Sequence, residues 1–331
     1  NKGLTSTCLT VDNDGGFWFA TTENGVFYSP SMDVEIYNKE SGFVSDFVTD
    51  LSHHFDDVSV GFNVKKGYQI ISDTISDFVE CNRSDYVTGQ SIYVEQQGCF
   101  SVLSECVFYD TCRRIVFPTG HSNGRSIKLI ADQILLSKPL HYAIYSTKSH
   151  NYINKFHEIE TNDAELINGN EVWVGNNNGL FSFSDSSYHY SKPISSLSQN
   201  QELQLILGSK YDGLFGKVED EFIPFGGPPI NSEISFIHVD NEQQIWAGTN
   251  NGVYIYSPDG KELLRIFQYE NGLPSNEINA ILVKDGDAYV GTREGLAIIR
   301  DAMNPNHLRE LRNPSIQHVF LDDHEVRQAS I

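Results

Sequence analysis

A short pattern of apolar and polar positions recurs along the chain. A large apolar residue and a small residue precede a polar residue, a turn ending in glycine and a second apolar run. The sharpest copies are FWFATTENGVFYS at 17–29, VWVGNNNGLFSFS at 172–184, IWAGTNNGVYIYS at 245–257 and AYVGTREGLAIIR at 288–300. Three weaker copies lie at 57–71, 91–103 and 133–146, and a fourth weak copy has its turn glycine at Gly213. The eight copies recur with a period of roughly forty residues, and a repeat of this length determines the whole architecture.

Each unit predicts strands rather than helices. In the unit at 233–269, EISFIHV, QIWAGT, VYIYS and LLRIFQY alternate or run apolar over strand lengths, and the turn NNG suits left-handed backbone. Four antiparallel strands joined by turns are typical of a propeller blade. The predicted fold class is therefore all-β, a β-propeller of four-stranded antiparallel blades.

Eight units do not fit a seven-bladed ring, and the sequence offers two solutions. In the favoured one, VEIYN at 34–38 supplies the outer strand of the last blade, and 34–301 closes as seven blades. Residues 1–33 are then blade strands that close an upstream propeller. The alternative is a single eight-bladed ring.

The repeated residues are expected to be structural. The tryptophans are predicted to pack between blades, the alternative being a platform for sugar stacking. Gly175, Gly248 and Gly291 leave room at the crowded centre of the ring, and the threonines satisfy backbone groups near strand ends. The structural repeat positions are Trp18, Thr21, Gly25, Trp173, Gly179, Trp246, Thr249, Gly252, Thr292 and Gly295.

Charge narrows the range of partners. With 23 Lys and Arg against 44 Asp and Glu, the net charge is −21, which repels nucleic acid and anionic membrane surfaces. No apolar run approaches the length of a membrane span, and no signal sequence opens the chain. The chain begins at Asn1, which suggests a processed protein or an excised piece. Any membrane attachment is expected through a downstream anchor.

No catalytic residue, metal site or cofactor is predicted. Asp12 and Asp14 suggest a calcium loop but lack its further acidic ligands, so a turn is favoured. His53 and His54 stand beside Asp56 and Asp57, yet adjacent strand residues point to opposite faces, which argues against a metal site.

The five cysteines, Cys8, Cys81, Cys99, Cys106 and Cys112, lack metal-ligand spacing. The alternatives are a disulfide between Cys106 and Cys112 and five free thiols, of which the free thiols are favoured.

Two segments carry a family resemblance. VDNDGGFWFATTENGVFYSPS at 11–31 and GLPSNEINAILVKDGDAYVGTREGLAII at 272–299 resemble the two-component regulator propeller repeat. The resemblance implies the periplasmic sensor region of a bacterial hybrid two-component regulator or membrane histidine kinase. It also implies that 302–331 is a linker followed, at NPSIQHVFLDDHEV, by the first strand of an immunoglobulin-like triple-tyrosine domain, with a kinase further downstream.

These observations predict a non-enzymatic sensor domain for a carbohydrate or other small nutrient-derived ligand, with a homodimer as a possible assembly. The ligand-binding residues are not identified by the sequence. The alternatives are a protein-interaction scaffold without a small ligand and, less favoured, a propeller lyase or glycosidase. Specificity is expected where the repeat is weakest, around 45–160, and at the junction near 301–314.

Overall fold

The computed structural model describes most of the chain and divides it into two compact units, Val34–Asp301 and Asn1–Asp33 with Ala302–Ile331. The described residues are 6–11, 16–22, 25–29, 34–54, 56–63, 67–72, 74–80, 91–94, 98–102, 106–109, 113–116, 126–130, 132–138, 141–149, 151–168, 171–226, 233–304, 319–321 and 324–326.

Strands dominate both units. Among the described residues, two one-turn 3-10 helices, Lys39–Ser41 and Tyr269–Asn271, precede strands of the larger unit. The strands in the described residues are β1 Ser6–Val11, β2 Phe17–Thr21, β3 Val26–Ser29, β4 Val34–Tyr37, β5 Val48–His54, β6 Asp57–Phe62, β7 Gly67–Ile71, β8 Val79–Glu80, β9 Ser91–Val94, β10 Gly98–Val102, β11 Cys106–Tyr109, β12 Arg113–Val116, β13 Ser126–Ile130, β14 Gln133–Lys138, β15 His141–Ser146, β16 Asn151–Glu158, β17 Asp163–Ile167, β18 Glu171–Asn176, β19 Gly179–Ser182, β20 Ser187–Tyr190, β21 Ile194–Ser198, β22 Leu205–Ser209, β23 Leu214–Val218, β24 Glu221–Pro224, β25 Ile234–Val239, β26 Ile245–Thr249, β27 Gly252–Tyr256, β28 Leu263–Phe267, β29 Ile278–Lys284, β30 Asp287–Thr292, β31 Gly295–Ile299, β32 Val319–Leu321 and β33 His324–Val326.

The larger unit is built from four-stranded antiparallel sheets. Its described residues form seven of them: β5–β8, β9–β12, β13–β16, β17–β20, β21–β24, β25–β28 and β29–β30–β31–β4. The first strands of successive sheets are neighbours, and β29 of the last sheet contacts β5 of the first. Sheets arranged in this way are blades, so the predicted all-β propeller class is confirmed.

The blades are buried on both faces, which explains the apolar runs in the repeat. All five residues of β26 and all five of β27 are buried, as expected for strands covered by a neighbouring blade on each side. Outer strands such as β24 remain largely exposed. In the blades whose burial is described, the buried residues therefore concentrate in the first three strands, where the sequence pattern is strongest.

One joint recurs between neighbouring blades. A glycine on the second strand of one blade faces an Ile or Val on the first strand of the next, and a Cβ on the glycine would lie 2.5–2.8 Å from that side chain. A polar side chain on, or just before, the first strand donates to the backbone oxygen of the same Ile or Val. The glycine pairs are Gly175–Ile194, Gly208–Ile234, Gly248–Ile278 and Gly291–Val48. The donors are Asn162, Ser195, Ser235 and Asn279, at 2.8, 2.7, 2.6 and 3.0 Å from the four oxygens in the same order.

The last of these joints links the last sheet of the larger unit to its first. Gly291 and Asn279 belong to the sheet of β29–β31, whereas Val48 belongs to β5. In the same sheet β4 pairs antiparallel with β31, from Tyr37 opposite Leu296 to Val34 opposite Ile299. Residues 34–37 thus form the fourth strand that the sequence assigned to the last blade.

A surface ion cluster fastens β4. Arg300 donates to Glu35 at 2.9 Å and to Asp287 at 2.6 Å. The hydrogen bond to Glu35 is the main reason why the pKa of Arg300 is raised above its ordinary value. The same bond lowers the pKa of Glu35. Because the side chains of Arg300 and Glu35 are 45% and 42% exposed, their ion pair adds little stability and chiefly sets the register of β4.

The smaller unit contains the three-stranded sheet β1–β2–β3 and the two-stranded sheet β32–β33. In this unit Trp18 is 36% exposed, unlike Trp173 and Trp246. Its sheet has three strands, and Leu9, Val11 and Val26 are exposed as well. Residues 319–326 contain two short paired strands where the sequence suggested one.

Candidate functional site

The repeat threonines and glycines build one kind of turn between the second and third strands. Thr249 Oγ1 donates to the backbone oxygen of Gly252 at 2.9 Å and accepts from the backbone N–H of Asn251. Thr21 makes the same bond to Gly25, and Thr292 makes it to Gly295. These side chains are engaged in holding the turn and are not arranged around a ligand.

The glycines that end these turns have left-handed backbone, with φ of +80° at Gly25, +133° at Gly179, +102° at Gly252 and +138° at Gly295. At Gly179 a Cβ would also lie 1.8 Å from the backbone oxygen of Tyr190. Both the backbone conformation and the close approach therefore require glycine there.

Two of the three tryptophans are enclosed between blades. Trp246 is 0% exposed, and its Nε1 donates to Asp240 at 2.8 Å. Trp173 is 6% exposed, and its Nε1 donates to Glu171 at 2.9 Å. Neither ring offers a free face for sugar stacking, so any aromatic platform must come from other residues.

The metal candidates do not come together in the described part of the chain. His53 is exposed on β5, and His54 lies opposite Asp57 in the hairpin. Asp12 and Asp14 lie outside the described residues. Among the residues that the structure does describe, no group of three His, Cys, Asp or Glu side chains is placed to hold a metal ion.

The cysteines are only partly described. Cys8 is exposed on β1, and Cys106 lies opposite Val116 in the β11–β12 pair. Cys81 and Cys112 fall outside the described residues, so the disulfide between Cys106 and Cys112 stays a prediction.

One surface cluster has the residue types of a nucleophilic triad. His189 Nε2 lies 2.8 Å from Asp185 Oδ2 and 3.1 Å from Ser187 Oγ. A triad needs the carboxylate on one ring nitrogen and the hydroxyl on the other, so that a proton can pass through the imidazole. Both partners here contact the same nitrogen, and this geometry does not support nucleophilic catalysis.

A buried charged network joins three successive first strands. Lys128 on β13 donates through Nζ to Asp163 at 2.8 Å and to Glu165 at 3.2 Å, both on β17. The same ammonium donates to the backbone oxygen of Leu197 on β21 at 2.6 Å. Asp163 also accepts from the backbone N–H of Leu197 at 2.8 Å. The network therefore ties three blades together near their inner edges.

Burial and charge oppose each other in this network. Burial by itself lowers the pKa of Lys128, but the carboxylates of Asp163 and Glu165 outweigh it and the pKa is raised. Burial raises the pKa of Glu165, and the nearby ammonium only partly compensates. Because all three donor positions of Lys128 are occupied, it acts as an internal cross-link and is not free to bind an anion.

A partly buried histidine occupies a comparable position on another group of blades. His238 on β25 accepts through Nε2 from the backbone N–H of Val283 on β29 at 3.2 Å. Burial, with a smaller contribution from the charge of His53, lowers the pKa of His238 to about 4. At neutral pH the ring is therefore uncharged, as an acceptor at this nitrogen requires.

An open cleft of 610 Å³ lies where the last blade meets the first. One wall is formed by the end of β4 and the loop leading to β5. The other wall is formed by β7 and the segment 74–78 that leads to β8. The lining residues are Tyr37, Ser41, Gly42, Val44, Gln69, Thr74, Ile75, Ser76, Asp77 and Phe78. Small-ligand sites typically have volumes of roughly 300–1,000 Å³.

Gln69 holds the two walls of the cleft in place. Its side chain is buried, its Oε1 accepts from the backbone N–H of Val44 at 2.9 Å, and its Nε2 donates to two backbone oxygens. One is that of Gly42 on the first wall and the other that of Ser76 on the second, both at 3.1 Å. A single amide therefore preorganises the cleft.

The floor of the cleft is apolar and its rim is polar. Tyr37, Val44, Ile75 and Phe78 pack as partly buried residues against the core between the last and first blades. Asp77 is exposed, and it is the charged group among the described lining residues. The cleft therefore offers apolar contacts from its aromatic rings and polar contacts from a carboxylate and hydroxyls within the same small surface.

Comparison with solved structures supports the same architecture. The chain has the fold of known propellers. Two structures of the extracellular domain of BT4673 from B. thetaiotaomicron, one described as a putative one component system and one as a putative hybrid two component system, match at a TM-score of 0.62 and 16% identity. They cover 86% of this chain, which spans 41% and 40% of the respective chains.

Two other structural matches are described with different functions. PorZ, a bacterial surface component of the type-IX secretion system of Porphyromonas gingivalis, matches at a TM-score of 0.60 and 13% identity, covering 86% of this chain and 55% of its own. Virginiamycin B lyase from Staphylococcus aureus matches at 0.62 and 11% identity, covering 80% of this chain and 98% of its own. No family model and no curated protein matches the sequence. Likeness at these identities shows the fold alone.

Sequence reasoning did not identify the residues of the cleft or of the charged network. Asp163 and Glu165 carried a usable signal, since two acidic residues alternate within an otherwise apolar strand. The cleft carried a weaker one, because its second wall follows the weak repeat copy at 57–71. In the part of the chain that the structure describes, no helix is long and apolar enough to cross a bilayer.

Proposed function

We propose that this chain is the extracytoplasmic, periplasmic sensor region of a two-component signal transduction protein and is not itself an enzyme. The observation that carries the proposal is the match of 86% of the chain to the extracellular domain of BT4673, which is described as part of a putative hybrid two component system. The repeat resemblance supports the same assignment. The chain spans about two fifths of that neighbour. The repeat resemblance adds a downstream membrane anchor and histidine kinase to the proposal.

The proposed domain organisation is a seven-bladed ring over 34–301, flanked by 1–33 from an upstream propeller and by 302–331 leading into a following domain. Pairing of β4 with β31 and the contact of β29 with β5 support closure of the ring. The division of the chain at Val34 and Asp301 supports the same boundaries.

The proposed ligand is a carbohydrate or another small nutrient-derived molecule. Thermal unfolding of the 331-residue chain with a panel of oligosaccharides tests this. A ligand present at a hundred times its Kd stabilises the folded state by about 2.7 kcal/mol. We expect one class of sugar to raise the Tm, while absence of any shift across the panel would argue against direct sensing.

A protein-interaction scaffold is the second candidate. Tyr211 and Tyr269 are 71% and 63% exposed, and exposed aromatic residues are common in interfaces. Native mass spectrometry that shows a stable homodimer or hetero-complex, together with no response to sugars, would favour this alternative. Turnover of a polysaccharide by the purified chain would instead favour a lyase or glycosidase.

A further inference from the structure

The cleft between the last and first blades is the strongest candidate for the ligand site. It belongs entirely to the larger unit, and Gln69 fixes both of its walls through three hydrogen bonds. A preorganised site loses less entropy when a ligand binds, because its walls do not have to be ordered. This preorganisation distinguishes the cleft from the surfaces around the exposed Tyr211 and Tyr269.

The chemistry of the lining selects one class of ligand. Tyr37 and Phe78 supply aromatic rings, which suit the C–H faces of a sugar, and Thr74 and Asp77 supply groups that bind hydroxyls. Asp77 is exposed, and no described residue donates a hydrogen bond to its carboxylate. None of the described lining residues is basic, and the chain carries a net charge of −21. An anionic sugar would therefore meet a negative rim without a compensating cation.

We propose that this cleft binds an uncharged oligosaccharide across the seam at which the ring closes. The inference rests on the proposed carbohydrate-sensing function and adds its site and the charge of its ligand. The sugar contacts Tyr37 on the closing strand β4 and Thr74 and Asp77 on the first blade. Occupancy therefore holds β4 against the first blade, and ligand binding is linked to the stability of the seam.

Isothermal titration calorimetry on the full 331-residue chain tests the proposal. The probes are xylotriose, cellotriose, maltotriose and mannotriose, with digalacturonate as the anionic comparison. Thr74→Trp fills the cleft from an exposed position, and Asp77→Asn removes its charge. Glu221→Gln on the exposed strand β24 is the matched control for loss of a carboxylate.

We expect at least one neutral trisaccharide to bind. Its affinity should fall by about tenfold or more in both cleft variants, because Thr74→Trp occupies the space of the sugar and Asp77→Asn removes the carboxylate that accepts from its hydroxyls. The affinity should be unchanged in Glu221→Gln. Digalacturonate should bind more weakly than the neutral sugars. Where Thr74→Trp does not fold, comparison of Asp77→Asn with Glu221→Gln decides the matter.

The outcomes separate this inference from the proposed function. Binding of a neutral sugar with equal affinity in all variants would place the site elsewhere and leave the sensing function intact. Tighter binding of digalacturonate would overturn the predicted ligand charge. No binding by the wild-type chain to any probe would count against both proposals.

Discussion

The closing joint between Gly291 and Val48 predicts a specific non-additivity. A Cβ at position 291 would lie 2.6 Å from Val48 Cγ1, so Gly291→Ala overpacks the joint and should cost roughly 1–3 kcal/mol. Val48 is 0% exposed, and Val48→Ala should cost a similar amount through lost burial and a small cavity. In the double variant the new methyl occupies the space that Val48 vacates. The double variant should therefore be about as stable as Val48→Ala alone, with a coupling of about 1–3 kcal/mol.

Urea unfolding of the wild type, the two single variants and the double variant measures this coupling, with thermal unfolding as a second readout. For a domain of this size, 1 kcal/mol corresponds to a shift in Tm of roughly 2–4 °C. The control is Gly248→Ala with Val48→Ala, because Gly248 contacts Ile278 at a different joint. In this control pair the two changes in the free energy of unfolding should add. Additive effects in the Gly291 pair would refute the reasoning, since they would mean that the last and first blades do not meet through these residues.

Two buried ionisable sites give further predictions. The pKa of His238 is about 4 in the folded protein and about 6.5 when exposed, so its contribution to stability is complete above pH 6.5 and is lost as pH falls through 4. The loss should approach roughly 3 kcal/mol in urea unfolding across this range, and His238→Gln should abolish it; a pH profile unchanged by the substitution would contradict this. Lys128→Met leaves Asp163 and Glu165 buried without their cation and should cost roughly 3–5 kcal/mol at pH 7. Adding Glu165→Gln should restore part of that stability in thermal unfolding, whereas no recovery would show that charge is not the cause.

Local sequence patterns predicted the blades because their causes are local. In the unit 233–269 the predicted strands correspond to β25–β28 within one or two residues, and the turn at Gly252 has the left-handed backbone that the sequence required. The sequence also allowed 34–38 to be assigned to the last blade. The last repeat copy lacks a fourth strand, and the segment 34–38, which follows the first copy, has the pattern of a strand that can supply it.

The joints, the network and the cleft depend on contacts between distant residues. Asn279 and Val48 are 231 residues apart, and Lys128 reaches a backbone oxygen 69 residues away. No periodicity along one strand reveals such partners. Trp18 shows that the local motif alone does not determine whether its tryptophan is buried. It has the same motif as Trp246 but lies in a three-stranded sheet and is exposed. Burial depends on the neighbouring blade as well as on the motif.

Hydrogen–deuterium exchange with and without a bound neutral oligosaccharide is the most direct test of sensing at the seam. The account predicts slower exchange in 37–44 and 72–78, the two walls of the cleft, and no change in 234–256, which lies in another blade. Protection confined to other blades, or unchanged exchange in both walls with the sugar bound, would contradict it.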